Sequence, residues 1–305
     1  MNQDNEGLLR RLAKPKGQVD VVIDTDTYNE IDDQFALAFL IKSDEKLRLK
    51  GICAAPFFNQ NSRGPGDGMK KSYDEIFKVL ALMKRDDLSS LVKRGSENYL
   101  SSEKDPVDSP AARVLAELAM NYTEERPLYV IAIGAITNVA SAILMKPEIV
   151  NRVVIVWLGG NALHWPDNRE FNLYQDVAAA RIVFGCGAAL VQLPCMGVVS
   201  AFTTSGPELE YWLRGKNGLC DYLVDYTAES ALKDGGLSNW TRAIWDVTAV
   251  GWLLDGDFML DRLEHSPVPE YDHRWSFDPT RHLFRYVYHI HRDRLFESLF
   301  KKLAL

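Results

Sequence analysis

Five acidic side chains crowd between two apolar segments near the start of the chain, within Gln18–Ile41. Val19–Ile23 is rich in β-branched residues and predicts a buried strand, whereas the apolar run Gln34–Ile41 predicts a helix. The acids between them are Asp24, Asp26, Glu30, Asp32 and Asp33. Because like charges at short range repel each other, this crowding does not serve folding alone. The pattern predicts a site where a positive charge neutralises the carboxylates.

Apolar strand candidates alternate with helical patterns along the chain. The predicted strands are Val19–Ile23, Leu47–Cys53, Leu128–Ile133, Val153–Leu158 and Ala188–Leu193. The predicted helices are Gln34–Ile41, Lys70–Met83, Ala111–Tyr122, Asn138–Met145, Val177–Phe184, Leu219–Leu232 and Ile244–Leu254. Continuous apolar strands that alternate with helices are typical of an α/β fold. We expect an open, mostly parallel sheet with helices on both faces and a helical C-terminal part, in one domain over residues 1–305.

Ligands of such sheets bind beyond the carboxyl ends of the strands. Polar or glycine-containing segments follow several predicted strands: the acidic run, the loop Phe57–Gly68, Gly134, and the loop Gly159–Asn172. Clustered carboxylates there suit a hard divalent cation such as Ca²⁺ or Mg²⁺, which can also acidify a bound water. A helix N-terminus would stabilise one or two acids but not four. The sequence therefore favours a metal site.

Composition excludes several other classes of protein. A net charge of −7 and a pI of about 5.5 argue against an extended nucleic-acid groove. The four scattered cysteines form no CxxC motif, so we expect reduced thiols rather than a structural zinc site: Cys53, Cys186, Cys195 and Cys220. The N-terminal segment lacks the apolar core of a signal peptide, which favours a cytoplasmic protein.

One uncharged segment, Leu128–Met145, is about long enough to cross a membrane. Gly134 divides it, however, into a β-branched strand pattern and a helical pattern that Thr137 could cap. We therefore expect a buried strand and helix there, and no membrane span.

The acidic run shares features with two kinds of metal-binding protein, the EF-hand proteins and the haloacid-dehalogenase family. An EF-hand loop is excluded because Asn29 and Phe35 stand where it needs Gly and Glu. A Mg²⁺-dependent phosphohydrolase of the haloacid-dehalogenase type fits better, because "IDTDT" and "DGDFMLD" resemble its motifs. Asp24 would then be the nucleophile. Tyr28 stands where Thr or Val is usual in that family, and the paired acids that follow have no role in it.

The stretch "DTDTYNEIDDQFAL" resembles most closely the N-terminal signature of the inosine-uridine preferring nucleoside hydrolases, with five residues instead of three between Asp26 and Asp32. Four later blocks resemble the same family in order: "VIAIGAITNVASAI", "VVIVWLGG", "REFNLYQDVAAARIVF" and "IWDVTAV". Together they cover most of Asp20–Leu254. The resemblance implies that family's α/β fold and Ca²⁺-dependent hydrolysis of ribonucleosides to ribose and free base.

The resemblance also implies a role for each matching residue. The expected Ca²⁺ ligands are Asp26, Asp33, Asp246 and the backbone carbonyl of Ile133. Asp26 would also take the proton from the attacking water. The expected ribose contacts are Asp32, Asn59, Glu170, Asn172 and Asp246. Asp24 would support the acidic loop from behind. Taken singly, Glu170, Asn172 and Asp246 could instead be residues that cap or begin helices.

The sequence departs from the family where the leaving base would be protonated. Many members place His directly before the late Asp, but Trp245 stands there, and an indole is no useful acid. A second family His has no counterpart in Lys84–Leu115. His164 and His273 are the candidate replacements, and Trp245 could stack on the base. A loop histidine or a core tryptophan is the more ordinary interpretation of each.

We interpret the chain as a nucleoside N-ribohydrolase of base salvage that acts on a small nucleoside or ribosyl substrate. The family resemblance implies a homo-oligomer, a dimer or a tetramer. The alternatives are the Mg²⁺ phosphohydrolase and a non-catalytic nucleoside- or ribose-binding protein that has lost the acid.

Overall fold

A computed structural model of the chain describes residues 3–233, 235 and 239–305. In these residues the strands are β1 Val19–Thr25, β2 Leu47–Ala54, β3 Val92–Arg94, β4 Leu128–Ala132, β5 Val153–Leu158, β6 Ala189–Leu193, β7 Thr203–Ser205, β8 Thr241–Ala243, β9 Met259–His265, β10 Val268–Pro269, β11 Trp275–Ser276 and β12 Leu283–Ile290. The helices are α1 Gln3–Arg11, α2 Asp33–Ile41, α3 Pro65–Leu82, α4 Pro110–Ala119, α5 Thr137–Met145, α6 Phe171–Gln175, α7 Val177–Gly185, α8 Gly206–Leu213, α9 Gly218–Lys233, α10 Val247–Leu253 and α11 Arg292–Ala304. Short 3₁₀ turns lie at Asp86–Leu91, Pro147–Asn151 and Val199–Ala201.

An eight-stranded sheet forms the centre of the structure, with the strand order β3-β2-β1-β4-β5-β6-β12-β9. Neighbouring strands are parallel except at the β12–β9 edge, which is antiparallel. The chain runs outward from β1 in one direction through β2 and in the other through β4. The β1–β4 boundary is therefore the switch point, where sheets of this kind bind ligands.

Helices cover both faces of the sheet and create two apolar cores. One core contains α2, α3, α9, α10 and α11, and the other contains α4, α5 and α7. Alternate residues of β1 contribute to each, with Ile23 in the first core and Val22 in the second. Helix α2 is buried on every side, which explains its uninterrupted apolar sequence after Gln34. The expected mostly parallel α/β fold is confirmed.

The predicted membrane-length segment is divided as expected, since β4 ends at Ala132 and α5 begins at Thr137. The cap is different, because Ile136 holds the N-cap position and the Thr137 hydroxyl donates to Asp176 Oδ2 at 2.7 Å. No helix in the described part of the chain combines the length and apolar character that a membrane crossing needs.

The C-terminal part ends in helix α11, and it also contributes to the central sheet two strands that the sequence pattern did not predict. Strand β12 pairs with β6, and β9 pairs with β12 at the sheet edge. Much of β9 is exposed, so its sequence "MLDRLEH" mixes apolar and charged residues instead of forming a continuous apolar run. The expected helical C-terminal part is therefore confirmed, and it holds strands as well.

Candidate active site

A cavity of about 240 Å³ opens at the carboxyl ends of β1, β4, β5 and β6. The predicted residues that line it are Asp26, Asp32, Asp33, Ile133, Glu170, Asn172, Trp245 and Asp246. They come from segments far apart in the sequence, and the strand order brings these segments to one edge of the sheet. The cavity therefore gathers most of the side chains that the sequence motifs indicated.

Three carboxylates form a tight cluster in this cavity. One oxygen from each of Asp32, Asp33 and Asp246 lies within 4.8 Å of the others. The backbone N–H of Asp246 donates to Asp32 Oδ2 at 3.1 Å, which ties the start of α10 to the acidic loop. The Thr25 hydroxyl donates to Asp33 Oδ1 at 2.5 Å. These hydrogen bonds fix the orientation of the acids without supplying a positive charge.

Asp26 lies beside this cluster and is 1% exposed. No described residue donates a hydrogen bond to either of its carboxylate oxygens. A Cβ added at Gly134 would lie 3.1 Å from Asp26 Cγ, so a glycine there leaves room for the carboxylate. A buried carboxylate without a partner is costly, which points to a partner that the protein binds.

Burial raises the pKa of every acid in this group. Burial raises the pKa of Asp33 to about 7. Burial and then repulsion from Asp33 raise the pKa of Asp26. Burial and then repulsion from other carboxylates also raise the pKa values of Asp32 and Asp246. Hard oxygen donors packed this closely fit a divalent cation of the Ca²⁺ or Mg²⁺ class, which would favour their charged forms.

Asp24 lies behind the cavity and does not line it. It is 1% exposed, and its Oδ1 accepts a hydrogen bond from Asn138 Nδ2 at 2.8 Å. Asn138 in turn accepts from the backbone N–H and hydroxyl of Ser96, both at 2.8 Å. A nucleophile must reach its substrate, so this position does not suit the nucleophile of a phosphohydrolase.

The late acidic motif lies away from this cavity as well. Asp255 pairs with Lys46 at 2.8 Å. Asp261 accepts from Arg285 at 2.6 Å and from Trp252 Nε1 at 2.8 Å. The likeness of "DGDFMLD" to a haloacid-dehalogenase motif therefore corresponds to structural hydrogen bonds rather than to a site.

Glu170 has two roles in the geometry, as a helix cap and as part of the cavity wall. It begins α6 and accepts the backbone N–H groups of Asn172 at 2.9 Å and Leu173 at 3.0 Å. It also accepts the N–H of Gly160 at 2.8 Å. The Asn172 side chain donates to the Leu158 carbonyl at 3.0 Å. The cap and the binding-site interpretations are therefore compatible, because the cap fixes both side chains at the rim.

Besides Asp24, three of the predicted residues lie outside the lining of this cavity. Asn59 donates to Asn29 Oδ1 at 2.5 Å and lines a neighbouring groove of about 520 Å³. His164 is exposed on its loop, and His273 is half-buried with its carbonyl accepting the N–H of Asn168 at 2.8 Å. Neither histidine lines the cavity or the groove. Trp245 lines both, so it lies where the two spaces meet.

Other lining residues were not singled out from the sequence: Asn29, Leu158, Arg169, Phe171, Cys195 and Met196. Cys195 and Met196 follow β6, so the rule that ligands bind beyond strand ends could have indicated them. Burial and then the charge of Glu170 raise the pKa of the Cys195 thiol, which makes it an apolar wall rather than a nucleophile. Arg169 is exposed at the rim, directly before Glu170.

Comparisons with known proteins agree with the geometry. The model of the inosine-uridine preferring nucleoside hydrolase family matches residues 21–287. The non-specific ribonucleoside hydrolase RihC of Salmonella schwarzengrund is 28% identical over 168 residues, which is 52% of this chain and 52% of that protein. The pyrimidine-specific ribonucleoside hydrolase RihA of Escherichia coli is 26% identical over 181 residues, 52% of this chain and 55% of that protein. The chain spans about half the length of the curated relatives it matches.

Solved structures share the fold over almost the whole chain. The plant nucleoside hydrolase PpNRh1 aligns with a TM-score of 0.74 at 20% identity, over 95% of this chain and 99% of that one. The purine-preferring ribonucleoside hydrolase from Gardnerella vaginalis aligns with a TM-score of 0.75 at 17% identity, over 93% of this chain and 98% of that one. At these identities the likeness establishes the fold.

The Asp24 carboxyl generates a prediction about stability and pH in the absence of divalent cations. Burial raises its pKa to about 7, so the folded protein holds this proton more tightly than the unfolded chain. The free energy of unfolding should therefore fall as pH rises from about 4 to about 7. Asp24→Asn keeps an acceptor for Asn138 and removes the charge. Over this pH range, the free energy of unfolding of the variant should therefore fall by roughly 2–4 kcal/mol less than that of the unchanged protein.

Urea unfolding at several pH values in EDTA measures this effect. Asp86→Asn, at an exposed acid, is the matched control and should behave like the unchanged protein. The same pH slope in Asp24→Asn and in the unchanged protein would contradict the assignment.

Proposed function

The chain belongs to the inosine-uridine preferring nucleoside hydrolase family, and from that premise we propose that it hydrolyses the N-glycosidic bond of ribonucleosides to ribose and free base. One observation carries the proposal: four buried carboxylates, from Asp26, Asp32, Asp33 and Asp246, converge on one cavity beside Glu170. Cleavage of an N-ribosidic bond builds positive charge on the ribose, and a carboxylate-rich pocket stabilises that charge.

We propose that the cation is Ca²⁺ and that Asp26, Asp33, Asp246 and the Ile133 carbonyl hold it. The unpartnered oxygens of Asp26 and the close packing of Asp33 with Asp246 support this ligand set. A divalent cation bound there would supply the positive charge that offsets the carboxylate repulsion and acidifies water.

Asp26 is the proposed general base. Its carboxylate is buried, lines the cavity and has both oxygens free of hydrogen bonds from described residues. It can therefore accept the proton of the attacking water at one of these oxygens. Asp24 and Gly134 position it, the first by supporting the loop from behind and the second by leaving room.

The ribose is proposed to lie among the remaining polar groups of the cavity. Asp32 and Asn172 would accept or donate at the 2′- and 3′-hydroxyls, with Asp246 as a further contact. Glu170 would hold the 5′-hydroxyl from its fixed position at the start of α6. Asn59 lies in the adjoining groove and would reach the ribose only from that side.

The base is proposed to lie in the adjoining groove, against Trp245. That side chain lines both spaces, and the groove also contains Tyr28 and Tyr226. Planar aromatic side chains suit a heterocyclic base, because stacking requires no particular hydrogen-bond pattern. His164 and His273 would contribute to leaving-group protonation only if their loops approach the groove when substrate binds.

We also propose the wider setting of the enzyme. Residues 1–305 would form one domain, because strands from Val19 to Ile290 share one sheet. The four free cysteines support a cytoplasmic location, and a role in base salvage would follow from the proposed reaction. It would act as a dimer or tetramer on a small nucleoside or ribosyl substrate and would not bind nucleic acid, in keeping with its net charge of −7.

Asp26→Asn should lower kcat about 10²- to 10⁴-fold, because it removes the proposed base and keeps the shape of the side chain. Purified protein with Ca²⁺ is incubated with purine, pyrimidine and p-nitrophenyl ribosides, and release of reducing sugar is measured. Asp86→Asn is the control and should retain full activity. Activity on at least one riboside that Asp26→Asn loses supports the hydrolase.

The same assay separates the hydrolase from a binding protein, an alternative that the absence of a His before Asp246 favours. Tight binding of ribose analogues with no release of sugar from any riboside would contradict catalysis and support the binding protein.

Asp33→Asn should weaken Ca²⁺ binding about tenfold or more, because the variant loses one carboxylate ligand and its charge. Calorimetric titration of EDTA-treated protein measures the affinity directly, with Asp86→Asn as control and Mg²⁺ as the competing ion. Binding of Ca²⁺ to Asp33→Asn as tight as to the unchanged protein would exclude this ligand set, and a preference for Mg²⁺ would contradict the assignment of Ca²⁺.

Trp245→Ala should raise KM for natural nucleosides about tenfold, because stacking on an aromatic ring contributes about 1–3 kcal/mol per base. Trp245→Phe, which keeps an aromatic ring, should raise KM by a smaller factor. Trp165→Ala is the matched control, since Trp165 is 37% exposed and lines neither the cavity nor the groove. Steady-state kinetics with one nucleoside that the protein cleaves measure KM for each variant. An equal increase in KM in Trp245→Ala and Trp165→Ala would contradict a base contact at Trp245.

A further inference from the structure

A second cavity, of about 370 Å³, lies at the amino end of the sheet, on the opposite side from the acidic cavity. Its walls are the end of α1, the segment Ala13–Gln18, the starts of β1 and β4, and the loop Tyr122–Pro127. The family match begins at residue 21, so α1 and the following segment lie outside it. Much of this cavity is therefore formed by residues outside the matched part of the chain.

The charge of this cavity is opposite to that of the whole chain. Six basic side chains line it, against three acids, although the chain has a net charge of −7. Two of the acids already have basic partners: Glu124 pairs with Arg11 at 2.7 Å, and Asp20 pairs with Arg48 at 2.7 Å. The cavity is therefore electropositive.

Three of its cations have no such partner. Within residues 3–233, 235 and 239–305, no carboxylate lies within 4.0 Å of the side chains of Lys14, Lys16 or Arg126. Cations gathered in a concave surface raise the local concentration of anions.

Arg11 adds a further positive charge to the wall of this cavity. It is 4% exposed, and besides its ion pair it donates from Nη2 to Asn151 Oδ1 at 3.1 Å. Its Nε–H has no acceptor among the described residues. This N–H is enclosed by protein, so Arg11 adds its charge to the cavity rather than a direct contact to a bound ligand.

Part of the wall is apolar. Val19, Tyr122 and Tyr129 line it beside the cations, and Tyr129 is almost completely buried. A small inorganic anion would leave this surface uncovered. The volume lies within the range of about 300–1,000 Å³ that is typical of small-molecule sites.

We propose that this cavity binds a phosphate monoester of sugar or nucleoside size. The phosphate oxygens would accept hydrogen bonds from Lys14, Lys16 and Arg126, since guanidinium and ammonium groups are the usual phosphate ligands. The sugar or base would lie on Tyr122 and Val19, which are partly exposed in the wall. This site is separate from the acidic cavity and does not depend on the proposed function.

Calorimetric titration with inorganic phosphate, ribose 5-phosphate and AMP tests the proposal, in EDTA at constant ionic strength. Without a cation, the acidic cavity repels anions. One saturable site is expected, with at least one monoester binding more tightly than inorganic phosphate. Which monoester binds tighter distinguishes a sugar phosphate from a nucleotide.

Lys14→Glu and Arg126→Glu should each weaken that binding about tenfold or more, because each replaces a charge-assisted donor by a repelling carboxylate. Both side chains are exposed, so the variants should fold, and thermal unfolding checks this. Lys104→Glu is the matched control, since it makes the same charge change at an exposed lysine outside the cavity.

Four results would overturn the proposal. They are no saturable binding, equal affinity for inorganic phosphate and both monoesters, unchanged affinity in Lys14→Glu and Arg126→Glu, or an equal loss in Lys104→Glu.

Discussion

Repulsion among buried carboxylates at the end of β1 is the constraint on which the rest of the site depends. Asp26, Asp32, Asp33 and Asp246 are each at most 4% exposed, so water screens their charges poorly. The nearest donors are already used, as the Thr25 hydroxyl is by Asp33. Protons or a bound cation can balance such a group, and a cation leaves the carboxylates charged at neutral pH. The surrounding fold serves to hold this unfavourable arrangement in place.

The topology explains how residues 214 positions apart can share a hydrogen bond, as Asp32 and Asp246 do. Strand β1 lies where the chain changes direction across the sheet, so loops from β4, β5 and β6 converge beside its carboxyl end. Asp24 turns away from the cavity and joins Asn138 of α5. One short stretch of chain thus provides both the support of the site and its chemistry.

The central strands could be predicted because they are buried on both faces, which requires continuous apolar sequence. Strand β9 escaped prediction because the edge of the sheet accepts charged residues, and β12 beside it has polar and exposed positions that interrupt its apolar sequence. Within the site, the acids were recognisable from their order and spacing. The positions of His164 and His273 could not be predicted from the sequence, because the path of a loop depends on contacts between distant segments. Cys195 could have been indicated only by its place after β6, since an apolar wall residue has no chemical signature of its own.

The replacement of a histidine by Trp245 bears on which substrates the proposed site can cleave. Tyr226, in the adjoining groove, has its pKa raised by burial and then by the charge of Glu75, so its phenol keeps its proton. Such a group can donate a hydrogen bond to a leaving base but transfers a proton poorly at neutral pH. Catalysis would then rest mainly on stabilising the positively charged ribose. We infer that such a site favours leaving groups that depart with little protonation.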